Sequence, residues 1–422
     1  MRALASIVVV RSRRWTRHAL ERATVRTVTT DRISDDVVAW AASGLMALSG
    51  RPGGAMLGPP AGFVERLTVL GAQISGLTAV IGEQVVVDPL AVLAERAAIA
   101  GLTRGGATSC GGATRLLSCD DGWLAVSLAR STDWDLVAAW LELDGPVEPG
   151  EWERVTTAVA GRAADGLMDR GVLVGLPIAV VGECAPGASG GVAVTSVTDR
   201  VVGRADPVAI ETLTVLDLSA LWAGPLAGRV LARAGARVIK VEASSRPDGS
   251  RSGPLEFQHA LNGDKESVVL DLDGADGRRR FHDLVDSADV VITSCRQRAL
   301  DQLGLDPDAI VAAGRPRAWL SITGHGRGPV GRDRVAFGDD AAVAGGLVLW
   351  DEQGPCFCAD AVADPLAGLA AAAAVLAALA DGGRHVVDVS MAEVAAGFAG
   401  PTTPVPVDLV ASVPDVDRRV IR

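Results

Sequence analysis

From Leu213 onward the chain settles into a rhythm that limits its fold more than any other feature. Segments 214–218, 238–241, 267–271, 290–292, 318–322 and 386–389 read as strands, and 225–234, 275–287, 306–313 and 366–379 as helices. Apolar strands that alternate with helices need cover on both faces. An α/β, Rossmann-like doubly wound sheet is therefore expected over 213–400. The first strand-to-helix turn carries Gly224 and Gly228 without a G-x-G-x-x-G, and Pro225 stands where close backbone approach is wanted. A dinucleotide site is disfavoured on that ground, although Glu242 mimics a ribose-binding acid.

The rest of the chain divides around this unit. Residues 1–38 read as an N-terminal extension: the apolar run Ile7–Val10 is followed by Arg11, Arg13, Arg14, Arg17, Arg22 and Arg26, the wrong order for a secretory leader. Residues 39–85 suggest two small-residue helices around Gly/Pro loops, and loosely repeat a later segment, with Ala41–Glu65 resembling Val343–Asp364. Residues 86–183 read as a smaller α+β domain, with a helix at 89–100, a glycine-rich loop, a hairpin over 116–128 across Asp120-Asp121-Gly122, and helices at 132–141 and 150–170. A linker is expected over 184–212 and a tail over 401–422.

Charge and thiol usage exclude several classes. A net charge of -11 argues against nucleic-acid or anionic-membrane partners, which need a basic field. An anionic ligand then requires a local basic pocket. The 6 cysteines have no framework spacing and the 5 histidines form no i,i+4 pair, so reduced thiols, a cytoplasmic location and no metal are expected. No stretch reads as a membrane span, residues 366–380 coming closest. Of 40 basic residues only Lys240 and Lys265 are lysines.

Five ordered motifs carry a resemblance. Leu216-Asp217-Leu218-Ser219 with Ala223-Gly224-Pro225 and Val238-Ile239-Lys240-Val241-Glu242 comes first. Asn262–Asp271, Ala288–Gly304, Ser321–Gly326 and Ala363–Gly368 follow. The set resembles the family III CoA transferases, the formyl-CoA and carnitine type. That resemblance implies CoA exchange between an acyl-CoA thioester and a carboxylic acid, on a homodimer, with CoA entering as substrate and no permanently bound cofactor. It implies Asp364 as nucleophile, forming an aspartyl anhydride and then an aspartyl-CoA thioester. It assigns CoA binding to Lys240, Lys265, Asn262, Arg296, Arg298, Ala223, Gly224, Gly324 and Gly326, and shielding of the intermediate to a loop with Gly111 and Gly112.

Departures leave other readings open. Trp222 replaces a glutamine, and Ala243 and Gln302 replace basic positions, leaving Arg246, Arg296 or Arg298 to supply charge. The small domain comes before the sheet, a permuted or fused order, and Glu65 holds the aspartate position of the repeat. Alternatives are an acyl-CoA racemase, whose histidine would fall at Phe337, and a catalytically inactive CoA-binding subunit.

Overall fold

The computed structural model describes residues 34–187, 189–197, 208–406 and 409. Most of the expected N-terminal extension, and parts of the linker and tail, lie outside them. Helix α1 (Asp35–Ala42) starts on Ser34, whose hydroxyl accepts from the Val37 amide, a capping contact that satisfies one free helix N–H. A single 3-10 turn (Leu45–Leu48) and a tight bend pairing Gly50 with Met56 lead to the long helix α2 (Phe63–Ile81). Helix α3 (Pro89–Ala100) follows, with Asp88 as cap and proline in its first turn.

Strands β1 (Thr114–Ser118) and β2 (Trp123–Ser127) form the expected hairpin. Helices α4 (Asp133–Leu141), α5 (Trp152–Val159) and α6 (Ala164–Val174) cover it, and β3 (Ile178–Val180) pairs with the far edge of β2. Leu124, Val126, Trp134, Trp140, Val155 and Ile178 build a separate small core, in which the indole N–H of Trp140 donates to the Leu167 carbonyl. Helix α3, expected in this unit, joins the larger core instead through Leu93, Ala94 and Ala97. The physical reason is Glu95: buried on α3, it needs a cation, and Arg229 of the next unit supplies one.

The larger unit runs β4 (Val192–Ser196), β5 (Thr214–Asp217), α7 (Ala223–Arg233), β6 (Arg237–Ala243), α8 (Leu255–Asn262), β7 (Glu266–Leu270), α9 (Ala275–Ser287) and β8 (Val290–Thr293). It continues with α10 (Gln297–Gln302), α11 (Pro307–Ala313), β9 (Ala318–Thr323), α12 (Gly338–Ala344), the hairpin β10 (Val348–Asp351) and β11 (Gly354–Phe357), α13 (Ala363–Asp381), β12 (His385–Ser390) and α14 (Met391–Phe398). The sheet order is β7-β6-β5-β8-β9-β12-β4, parallel except for β4 against β12. Strand β4 comes from the stretch expected to be linker: its backbone closes an edge of the sheet, although most of its side chains are exposed.

Both faces of the sheet are covered, as its apolar strands require. Phe281, Val285, Val311 and Trp319 pack on one face. On the other, α7, α13 and α2 share a core with Val215, Ile292 and Leu320. Each fully buried leucine of α13, such as Leu366, Leu369 and Leu376, contributes roughly 1.5–3 kcal/mol. Gly368 lets α7 come close, since a Cβ there would sit 2.6 Å from the Ala223 carbonyl oxygen. At 19 residues each, α2 and α13 are long and apolar enough to cross a bilayer by length and composition, which the shorter expected span 366–380 was not; in this structure both pack into the core. Strand order reverses between β5 and β8, so the crevice past their C-terminal ends is where a doubly wound sheet takes its ligand.

Candidate active site

Asp364 lies in the first turn of α13, its amide donating to the Ala361 carbonyl at 2.9 Å. The carboxylate is half-buried. A Cβ on Gly338 would stand 2.5 Å from Asp364 Oδ2, so only glycine at 338 lets α12 approach it. The turn before it is strained: Ala359 and Ala361 take φ of 58° and 43°, left-handed values that cost an alanine about 1–2 kcal/mol. Between them Asp360 is fully buried, and both its oxygens are gripped by Arg96 of α3, at 2.8 and 2.5 Å.

Two further acids complete the setting. Asp339 Oδ1 accepts from the Ala361 amide at 3.0 Å and its Oδ2 from the Thr114 hydroxyl at 3.3 Å. Asp340 accepts from Ser127 at 2.7 Å and from the Phe337 amide at 3.0 Å. These bonds attach α12 to the small domain. Burial, with the other carboxylates beside it, pushes Asp364 up to about 7, against the lowering influence of Arg96. Burial likewise lifts Asp340 to about 7, and burial together with Asp360 lifts Asp339 to about 6. A carboxyl that titrates near neutrality, reaches solvent and is stripped of much of its hydration is suited to nucleophilic or acid–base work.

The lysines do a different job from the one expected of them. The Lys265 ammonium is buried and donates to Asp217 Oδ2 at 2.7 Å, the Pro225 carbonyl at 2.8 Å and Asn262 Oδ1 at 2.9 Å. Lys240 is buried against Asp248 at 2.9 Å and donates to the Ser219 carbonyl. Despite its burial, Asp217 is held down at about 2 by Lys265 and Lys240. Their assignment, with Asn262, as phosphate contacts is corrected: their polar groups are spent inside the protein, tying the first two motifs together around the turn between β5 and α7. A compact ammonium with three donors fits the three convergent acceptors around Lys265, which explains lysine at that position in an arginine-rich chain. Ala223 and Gly224 start α7 on that turn, and Gly224 is packed so closely on Ser219 that no side chain fits.

Positive charge gathers elsewhere. Arg296 caps α10 just past β8 and is depressed by burial and then by Arg130, Arg298 and Arg246 around it. Among the described residues Arg246, Arg296 and Arg298 have no ion-pair partner, while Arg130 is paired with Asp133. The Arg130 guanidinium carbon lies 6.0 Å from the Phe337 ring centroid, one residue before Gly338. The basic cluster thus runs from the switch point of the sheet towards Asp364, a local field of the sign an anionic ligand needs on an acidic protein.

Other expected residues fall at varying distance. Gly324 and Gly326 follow β9 and pack against Ala336 and Ser390, so the glycine in contact with Asp364 is Gly338. The loop with Gly111 and Gly112 lies over the strained turn: Cys110 Sγ is 3.5 Å from the Ala359 carbonyl, and Gly111 packs beside Arg96. His325 is pushed down to about 3 by burial and Arg334, so it stays neutral. Trp222 is buried edge-on to Phe257, and the Arg96 guanidinium carbon lies 5.6 Å from its ring centroid. The reading of the sequence passed over Arg96, Gly338, Asp339, Asp340 and Asp360. Only the adjacent Asp339-Asp340 pair and the nearness of Asp360 to Asp364 hinted at them.

Comparison with known proteins finds similarity over the stretch that carries Asp364. The model of CoA-transferase family III matches residues 210–412. A succinate–glutarate CoA-transferase of Agrobacterium fabrum is 32% identical over 189 residues, 40% of this chain and 46% of that protein. A probable fatty acyl-CoA transferase of Mycobacterium tuberculosis is 33% identical over 209 residues, 45% of this chain and 52% of its own length. A crystal structure of a CAIB/BAIF family protein from Brucella suis is 30% identical, with a TM-score of 0.41 over 44% of this chain and 54% of that one. The chain spans about half the length of the curated relatives it matches. Residues 210–412 of this chain are thus similar to CoA-transferase family III.

Proposed function

We propose that the protein is a CoA transferase that moves CoA between an acyl-CoA thioester and a carboxylic acid, with Asp364 as nucleophile. The observation that carries this reading is Asp364 itself: a half-buried carboxyl in the first turn of α13, within the matched stretch, raised to about 7 and, among the described residues, in no ion pair. In the first step an Asp364 oxygen attacks the thioester carbonyl and the C–S bond breaks, leaving a mixed anhydride and CoA thiolate. The thiolate attacks the aspartyl carbonyl, releasing the donor acid and leaving an aspartyl-CoA thioester. The acceptor carboxylate attacks that thioester, giving a second anhydride and free thiolate. Attack of the thiolate on the acceptor's acyl carbon then yields the new acyl-CoA and restores Asp364.

Arg246, Arg296 and Arg298, at the sheet's switch point, are suited to CoA phosphates. The names of relatives, which include succinate, glutarate and citramalate, support an organic acid as acceptor. Phe337, where a racemase histidine would fall, has no proton to move. Asp364→Ala should lower transfer at least about 10³-fold while the Kd for CoA stays within about twofold, because it removes a nucleophile and no phosphate contact. Undiminished transfer in the variant would overturn the assignment.

A further inference from the structure

Arg96 lies outside the stretch that matches the family, on α3 of the N-terminal half. Its Nε and Nη2 bind both oxygens of Asp360, and Asp360 is the residue between the two left-handed alanines. Four residues after Asp360, the Asp364 amide is held by the carbonyl of Ala361, one of those alanines. A shift of Asp360 therefore moves the turn on which Asp364 stands. The charged groups facing Asp364 are Arg96 of α3, Asp339 and Asp340 of α12, and Asp360 of its own loop. Helices α2 and α7, also packed on α13, bring apolar residues such as Phe63, Leu67, Ala223 and Leu226. Arg96 is thus the one cation in that group of four.

We propose that Arg96 is a positioning residue for Asp364: it clamps the strained 359–361 turn through Asp360 and offsets the surrounding carboxylates, so that the N-terminal half completes the catalytic centre. This rests on reading Asp364 as the nucleophile, but a measurement on the resting protein can address it apart from turnover. Coulomb attraction from a guanidinium favours the ionised carboxyl, and loss of that cation leaves three acids around it.

The experiment is a carboxyl-carbon NMR titration of aspartate-labelled full-length protein. The Asp364 resonance is identified by its loss in Asp364→Asn, and kcat and KM are measured across pH on the same samples. In Arg96→Gln the Asp364 midpoint should rise by about one pH unit or more, and the acid limb of kcat should move with it. KM for the acyl-CoA should change less than about threefold. Arg96→Lys keeps the charge but loses the two-pronged grip, so its midpoint should stay within about half a unit of wild type while kcat falls. Where Arg96→Gln does not fold, Asp360→Asn serves: it removes a like charge and the midpoint should fall. An Asp364 midpoint unmoved in Arg96→Gln, equal shifts in the Gln and Lys variants, or a midpoint in Asp360→Asn that does not fall would overturn the proposal. Midpoints that move as stated in a protein without CoA transfer would instead refute the proposed function and leave this inference standing.

Discussion

The segments 35–81 and 338–381 share a layout but differ in what surrounds their acids. Each has a short helix, a tight hairpin and a 19-residue helix with an acid in its first turn, Glu65 in α2 and Asp364 in α13. The two long helices pack on each other, and Arg51 of one hairpin binds Asp351 of the other at 2.8 Å. Glu65 is exposed to water, whereas Asp364 is half-buried behind Gly338 among three other carboxylates. Both long helices thus carry an acid in their first turn, and burial is what separates the two.

The largest effect on this comparison should come from separating the halves that make it. Arg229 of α7 and Glu95 of α3 form a buried ion pair with both contacts under 3 Å. Glu95→Ala leaves the guanidinium buried and unpaired, which should cost about 3–5 kcal/mol. Denaturant unfolding followed by tryptophan fluorescence should show one transition in wild type and an earlier midpoint in the variant. An unchanged midpoint would mean that the two halves are not coupled through this contact.

A smaller effect separates the two acids by pH. Because Asp364 titrates near 7 in the folded chain and near 3.8 otherwise, the folded state holds a proton there that the unfolded state has released. Its contribution to stability therefore falls as pH rises from about 4 to about 7 and stays low above. Asp364→Asn removes that penalty, so Tm at pH 8 should rise by roughly 1–3 °C, with the gain vanishing near pH 4. Glu65→Gln should leave both Tm and turnover close to wild type, within about 0.5 kcal/mol. Calorimetry across pH checks the pair, and equal responses from the two variants would break the contrast.

Much of the sheet was legible because buried parallel strands are written as apolar runs, and all six expected strands from β5 to β12 lie where the sequence places them. Strand β4 was not, since its pairing is with backbone on an edge and only weakly recorded in side chains. Asp364 was singled out through its motif. Lys240 and Lys265 misled, because a motif records that a residue is needed without recording whether its charge faces a ligand or a buried aspartate. Arg96 left no local signal at all: its meaning lies in an ion pair to Asp360, 264 residues away.

The central claim, that Asp364 and not Glu65 is the nucleophile, is tested most directly by trapping. The full-length protein is incubated with an acyl-CoA and then with hydroxylamine, digested, and mapped by mass spectrometry. The account predicts conversion of Asp364 to its hydroxamate, dependent on acyl-CoA and absent in Asp364→Ala, with Glu65 unmodified. Modification of Glu65, or of neither acid in a protein that turns over, would contradict it.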